Sequence, residues 1–515
     1  MTQTAFKKSL LFLAALLFLV QCTDTVNDGV TIQGHASNSN NEYIVLNYMP
    51  RLRGCLNFDG FRNTGTRIND DGYFSLSADR LTHAASYTLV YKDKGIRLEL
   101  FKGDNMQLEF DINDPGNTLF AKGRGAAKIN ILNLAQFKPD LFYDVKYTLD
   151  EYKSRLDSIT AVQAEILNAI KNEDLDNDII SNAGNRDKIE RIIKENSISD
   201  GEVRFIENVI FSSRAAISGF ITYLCERKKL DSTEIDFSGD MFSVFNTANY
   251  NKIENTNYFT VANALEDILY LEYVRAQQEK GDIVRYNEWT AYQQDTAILN
   301  WIPNFLKDNF NSDIHDKFFA ENVVFAQTLG FDYQEPYKDL RESCTNMKYI
   351  ESIDSFEELL EHGLANPEYS LDQGEKTLDR EAFEKLISNN DRPLFITFWS
   401  ARFAGSTIIP HLPAIKDFES DIKDDFKVLN ICIDEEAHKN LWAARIIDDE
   451  WKADHYFLPV EGNDSTLTRF NCTRLSSFCF GGAKYSLVDT GGNIINDLES
   501  PMTLTYEKLL TYLEE

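Results

Sequence analysis

From residue 29 to about residue 122 the chain alternates. Val30-Thr31-Ile32-Gln33-Gly34, Tyr43–Tyr48, Tyr73-Phe74-Ser75-Leu76, Tyr87–Tyr91, Ile96–Leu100 and Met106–Phe110 place apolar side chains at about every second position. A period of two gathers those side chains on one face of an extended chain, so these stretches predict strands. Asp71-Gly72, Lys94-Gly95 and Gly103-Asp104-Asn105 separate them with turn chemistry. Short strands at this spacing predict an antiparallel β-sandwich over 29–122.

From about 126 to 365 the period becomes helical. Val145, Leu149, Tyr152, Leu156, Ile159, Val162 and Ile166 recur at steps of three and four, one apolar stripe on an amphipathic helix. Phe205, Val209, Ala216, Phe220 and Leu224 form a second stripe, and Val261, Leu265, Ile268, Leu269 and Val274 a third. Ser355-Phe356-Glu357-Glu358 has the residues of a capping box. Residues 366–378 carry Pro367 and Gly374 in a polar setting and predict a linker. Beyond it, 379–515 reads helix, strand, helix, strand, helix, strand, strand, helix. The helices are expected at Ala382–Ser388, from about Ala404 to Phe418, at Asn440–Lys452 (carrying Trp442 and Trp451) and at Tyr506–Leu513. The strands are expected at Leu394–Trp399, Val428–Asp434, Tyr485–Asp489 and Asn493–Ile495, the last two paired across Thr490-Gly491-Gly492. Leu394–Trp399 is apolar throughout, as a strand covered on both faces requires. The fold class is multidomain α+β: a β-sandwich, a helical middle and a C-terminal α/β domain.

The first residues follow a different logic. Lys7 and Lys8 precede an apolar run, Leu10–Val20, that is too short to span a bilayer. It ends in Leu19-Val20-Gln21-Cys22, which resembles a bacterial lipobox, in which the cysteine becomes the lipid-modified first residue. The competing reading is an ordinary secretory signal with a coincidental Cys22. The polar tether 22–28 that follows favours lipidation, with 1–21 as signal peptide. The chain carries 52 basic and 82 acidic residues, a net charge of −30. Loss of Lys7 and Lys8 leaves −32, which repels nucleic acid and anionic membrane surfaces.

Candidate chemistry is sparse. Gly123-Arg124-Gly125-Ala126-Ala127-Lys128 approximates a dinucleotide fingerprint but lacks its third glycine and any surrounding βαβ unit, so it reads as a flexible junction. Asp174-x-Asp176-x-Asp178 opens like a calcium loop. Ile179 stands at its turn position and Asn185 at its twelfth, so it reads as a polar loop between helices. The seven histidines show no metal-ligand spacing, and there is no Cys-x-x-Cys. No metal and no cofactor is expected. Cys472 and Cys479, seven apart, suit a structural disulfide better than a redox pair, and Cys432 reads as a buried small hydrophobe.

Leu394–Pro410, with Phe398-Trp399 at the end of a strand, a tight turn and a proline in the next helix, resembles the active-site segment of thioredoxin-like oxidoreductases. Asp434 and Leu487-Val488-Asp489-x-Gly491-Gly492 extend the resemblance over about a quarter of the chain. The strands before residue 122 are similar to the small β-domain of thioredoxin-like envelope lipoproteins. The resemblance places a Cys-x-x-Cys at 403–406, where this chain has Phe403, Ala404, Gly405 and Ser406. It places a cis-proline where this chain has Ala483. A thioredoxin works through a thiolate at a helix N-terminus and a second, resolving cysteine. Phe403 has no nucleophile, and Ser406 has a weak hydroxyl with His411 five residues away, poorly placed as its base.

The expectation is a lipid-anchored cell-envelope protein of the outer membrane with a redox-inactive thioredoxin-like domain. It binds a protein or peptide of the envelope and no nucleic acid. Two alternatives compete with it: a thiol–disulfide oxidoreductase using Cys432, Cys472 or Cys479, and a solute-binding lipoprotein with its site in the helical middle.

Overall fold

A computed structural model describes residues 29–39, 41–48, 63–78, 81, 85–92, 94–137, 148–174, 186–213, 221, 251, 259–281, 296–328, 332–363, 376–388, 390–401, 408, 411–448, 450–459, 470 and 483–514. The architecture is mixed α/β: two sheets, then helices, then a third sheet. The signal segment, the tether and Cys22 lie outside the described residues. Among the described residues no helix is long and apolar enough to cross a membrane.

Among the described residues eight strands come first: β1 (Val30–Ser37), β2 (Tyr43–Tyr48), β3 (Thr64–Arg67), β4 (Tyr73–Ala78), β5 (Ala85–Tyr91), β6 (Lys94–Leu100), β7 (Asn105–Asp111) and β8 (Phe120–Arg124). They form two four-stranded sheets, in the orders β4-β1-β7-β8 and β3-β2-β5-β6. Ile32, Phe74 and Met106 of the first share one apolar cluster with Ile44, Leu89 and Leu98 of the second. The expected antiparallel arrangement fails at one pair. β1 runs parallel to β7, because β1 inserts between β7 and β4 and the chain returns through the other sheet. β3 and β8 were not apparent from alternation: Thr64-Gly65-Thr66-Arg67 and Lys122-Gly123-Arg124 carry no apolar face.

β2 is buried at every position. Ile44 and Leu46 enter the shared cluster, whereas Tyr43 and Val45 pack with Ala414 and Met502, far along the chain. The Tyr43 hydroxyl donates to Asp417 at 2.6 Å, and the Tyr43 N–H donates to the Met502 carbonyl at 3.0 Å. Burial and the Asp417 charge push that phenol well above its usual range.

The first helices among the described residues are α1 (Pro115–Thr118), α2 (Ala126–Leu132), α3 (Leu149–Lys171), α4 (Arg186–Glu195), α5 (Asp200–Ser213), α6 (Phe259–Glu279), α7 (Thr296–Asn309), α8 (Ser312–Thr328), α9 (Gln334–Ser343) and α10 (Met347–Gly363). The glycine junction is ordered rather than flexible. Gly123 ends β8 with φ +97°, and Gly125 caps α2 with φ +90°, a backbone region that glycine enters without strain. Residues 175–185 lie outside the description. The expected box at Ser355 caps nothing, because α10 runs through it: buried Ile350 and Ile353 carry the stripe of Phe356 toward the N-terminus. Working capping boxes sit elsewhere. Thr148 accepts from the Glu151 amide at 3.2 Å while the Glu151 carboxylate accepts from the Thr148 amide at 2.7 Å. Ser199 and Glu202 do the same for α5 at 3.2 and 2.9 Å.

The third sheet has the order β11-β10-β9-β12-β13. β9 (Leu394–Trp399), β10 (Lys427–Asp434) and β11 (His455–Pro459) are parallel, and β12 (Lys484–Val488) and β13 (Ile494–Ile495) close it as an antiparallel hairpin. β9 is central and fully buried. Its Leu394, Ile396 and Phe398 meet Phe383 and Ile387 of α11 (Arg380–Ser388). Phe395 meets Phe418 and Ile422 of α12 (Leu412–Ile422) and Leu509 of α14 (Tyr506–Glu514). Trp399 joins Cys432, Phe457 and Trp442, on α13 (Lys439–Asp448), in a cluster that continues into the helices before it.

Four expectations shift here. β11 escapes the sequence pattern, since Asp454-His455 and Pro459 frame only three unbroken nonpolar residues. α12 begins at Leu412, with Pro413 in its first turn where a missing N–H costs nothing; residues 402–407 and 409–410 are outside the description. α13 ends at Asp448, so Trp451 lies beyond the helix, its N–H bonded to the Ile446 carbonyl. The expected linker ends inside the fold: Thr377 bridges Phe457, and Leu378 is buried beside Phe383.

Candidate functional site

The sequence places its site at the C-terminal end of β9. There Trp399 is buried, with its ring 5.5 Å from that of Trp451 and its indole Nε1 without a partner. Cys432 is its register partner on β10 and is fully buried. Burial first, and then the Asp434 charge, hold its thiol well above the usual range. Phe403 and Ser406 lie outside the described residues, as do Cys472 and Cys479. Ala483 stands just before β12, half-buried against the Phe395 cluster. His411, half-buried at the start of α12, has its pKa lowered by burial.

Beside Trp399 is a buried polar cluster. Ser400 Oγ donates to Asp434 Oδ2 at 2.7 Å, and Asp434 Oδ1 pairs with His438 Nδ1 at 2.8 Å. The three residue types are those of a hydrolase triad, but the order differs. A catalytic serine bonds the imidazole, whereas this one bonds the carboxylate. Asp434 is the hub, and the cluster ties the end of β9 to the turn after β10.

Among the described residues, two clefts lie elsewhere. The first, about 750 Å³, runs over the outward face of β1, β4 and β7 and is lined by Gln33, His35, Arg67, Tyr73, Gln107 and Glu109 among others. Its geometry starts at the Asp71-Gly72 turn. Asn69 Oδ1 accepts from the amides of Asp71 and Tyr73 at 3.1 and 2.8 Å, and Gly72 takes φ +84°, where a Cβ would lie 2.8 Å from the Ala36 carbonyl. The turn delivers Tyr73 outward, 58% exposed, with the His35 ring 4.8 Å away. Glu109, on the other side, pairs with Lys122 and Arg191 at 3.4 and 3.3 Å.

The second cleft, about 650 Å³, lies between α7, α8 and α9 and is lined by Lys307, His315, Asp316, Asp339, Glu342 and Ser343 among others. His315 Nδ1 lies 2.8 Å from Asp316 Oδ1. Asp316 Oδ2 accepts from the Thr345 amide, the Thr345 hydroxyl and the Asn346 amide at 2.8, 2.7 and 2.9 Å. Burial alone raises the Asp316 carboxyl, but these bonds and that from His315 outweigh it and keep the group below its usual range. The ionised carboxylate orients the imidazole toward the cleft. Nearby, burial and the Asp316 charge push the Cys344 thiol up to about 11. Asp316→Asn is expected to destabilise the chain by about 2–4 kcal/mol, the scale of charged hydrogen bonds lost in a buried setting. Urea denaturation checks this; an unchanged midpoint refutes the role.

Neither cleft was apparent in the sequence. The partners of Asp316 lie some thirty residues on, and Tyr73 reads as one more alternating strand residue; only the Asp71-Gly72 turn signalled its placement. Among the described residues, no group of three or more His, Cys, Asp or Glu is arranged to hold a metal ion. In comparisons with known proteins, no protein family, no curated protein and no solved structure matches this chain.

Proposed function

We propose that this chain is a lipid-anchored cell-envelope protein, held to the outer membrane through Cys22, that binds a protein or peptide partner and carries a redox-inactive thioredoxin-like domain. In this reading the N-terminal sheets are a β-sandwich and the C-terminal sheet is the thioredoxin-like unit. The order of α11, β9, α12, β10, α13 and the β12–β13 hairpin before α14 supports that unit, with β11 as an added edge strand. The observation that carries the binding role is the groove around Tyr73. An exposed aromatic ring, flanked by His35, neutral amides and charges of both signs, suits a polar chain segment that offers hydrogen bonds and an apolar face. The Trp399 end of β9 is filled instead by Trp451.

The described cysteines argue against thiol exchange. Cys432 is sealed in the core, and the Cys344 thiol stays protonated at neutral pH, whereas the thiolate is the nucleophile. A second reading, solute capture, is favoured by the charged cleft at His315, which suits a small charged molecule.

The test uses the soluble chain from residue 23 onward. It should not reduce insulin disulfides. On peptide and small-solute arrays its hits should be peptides, and Tyr73→Ala should weaken them about 10-fold or more, as loss of an interface aromatic does. Insulin reduction abolished by Cys432→Ser overturns the redox-inactive reading. Solute hits lost on His315→Ala and indifferent to Tyr73→Ala favour solute capture.

A further inference from the structure

One layer of the C-terminal sheet breaks the apolar pattern. Tyr485 on β12 is the register partner of Thr397 on β9; Thr397 is the partner of Asn430 on β10; Asn430 is the partner of His455 on β11. Register partners on neighbouring strands point to the same face, so the four form a continuous polar row across the sheet. Each is 4% exposed or less. Above the row lie Glu419 of α12, also buried, and Trp451.

The row is left unsatisfied. Tyr485 Oη, Thr397 Oγ1, Asn430 Oδ1, Asn430 Nδ2, His455 Nδ1 and Glu419 Oε1 are all buried without a hydrogen-bond partner. The outer atoms are engaged: Glu419 Oε2 accepts from Trp451 Nε1 at 3.0 Å, and His455 Nε2 meets the Trp451 carbonyl at 2.8 Å. A carbonyl can only accept, so His455 carries its proton on Nε2. In the neutral ring Nδ1 is then an acceptor. Buried groups left without partners would together cost as much as a domain's whole margin of stability. The chain therefore has to satisfy them.

We propose that this layer is an internal water-binding site, in which a small cluster of ordered waters bridges Tyr485, Thr397, Asn430 and His455 to Glu419. The chemistry selects the ligand. Thr397 and Tyr485 each donate and accept, the Asn430 amide nitrogen donates, and Asn430 Oδ1 and His455 Nδ1 accept. Such a mixed set, with one carboxyl as its only acid, matches a neutral molecule that both donates and accepts. Trp399, Phe395 and Phe457 belong to the apolar clusters that flank the row, and Trp451 packs beside Trp399. The charged environment agrees: burial pushes Glu419 up to about 7, opposed by its bond from Trp451, by the nearby Asn430 amide and by Lys416. Burial pushes His455 down to about 4, opposed by the Trp451 carbonyl and Asp454 and assisted by Lys376 and Lys416.

A crystal structure of the soluble chain, at a resolution that shows ordered water, tests the site alongside Thr397→Val, which keeps the side chain's shape. About two or three waters, each with roughly three polar partners, are expected in the wild type, with at least one lost in the variant. Side chains paired directly with one another and no water between them overturn the proposal. So does an unchanged water set in Thr397→Val. Oxygen-17 relaxation dispersion counts the same long-lived waters in solution and should drop between wild type and variant.

Discussion

Lys128→Met should destabilise the N-terminal sheets and the helices beside them by about 3–5 kcal/mol, the cost of removing one partner of a buried ion pair. Lys128 is fully buried, with its ammonium 2.6 Å from Asp104 Oδ2, 3.0 Å from the Gly125 carbonyl and 3.9 Å from Glu202 Oε1. The Phe101 ring lies 4.3 Å beneath it. Methionine fills the volume but leaves the Asp104 carboxylate buried without a countercharge. Burial already raises the Asp104 carboxyl above its usual range, with Lys128 pulling it back. Adding Asp104→Asn to Lys128→Met should therefore recover part of the loss, so the double variant lies well short of the sum of the singles. Urea denaturation of the four proteins measures the coupling. A Lys128→Met protein within about 1 kcal/mol of wild type would remove the pair from the account.

That ion pair explains a stretch the sequence leaves ambiguous. Gly123-Arg124-Gly125 has the look of a loop, and nothing in it announces a buried lysine three residues on. A Cβ on Gly125 would sit 2.2 Å from Asp104 Oδ1, and one on Gly123 would sit 2.5 Å from the Asn105 carbonyl. These glycines bring a strand end and a helix start against Asp104. The partners are 24 residues apart, beyond any local pattern. Periodicity found most of the strands that place residues on two distinct faces, such as β4 and β7. It missed β3, β8 and β11, whose pairing is decided by neighbours rather than by their own side chains. β2 is the intermediate case: a strand predicted correctly, whose second face is buried by Ala414 and Met502.

The site shows the same limit. Trp399 and Asp434 stand out in the sequence as the ends of two strands, and they are neighbours through Ser400. The bonds that decide their chemistry were not visible, because three residue types fix no connectivity. Whether serine bonds histidine or aspartate depends on the turn after β10. Likewise, Thr397, Asn430, His455 and Tyr485 each read as an isolated polar residue in or beside an apolar strand. Only the register of four strands makes them one row.

The row also sets an expected pH response, in which two single variants tilt stability in opposite directions. Glu419 holds its proton up to about pH 7 in the folded chain, against an ordinary 4.5 when unfolded. Its contribution to stability is fully present below pH 4.5 and is lost as pH rises through 7. His455 resists its proton down to about pH 4, against 6.5 unfolded. Its contribution is present above pH 6.5 and is lost as pH falls through 4. Between pH 4.5 and 6.5 the two slopes oppose and nearly cancel. Glu419→Gln keeps an acceptor for Trp451 but removes the first slope, so its stability relative to wild type should climb from pH 4.5 to 7. At about 1.4 kcal/mol per pH unit the total is of the order of 3 kcal/mol. His455→Gln removes the second slope, and its stability relative to wild type should fall by a similar amount from pH 4 to 6.5. Using differences from wild type cancels the many surface carboxylates, which titrate alike in all three proteins. Urea midpoints across pH 4 to 8 read both curves. A Glu419→Gln curve parallel to wild type would mean that Glu419 reaches solvent or a cation in the folded chain, and the row would lose its only buried acid.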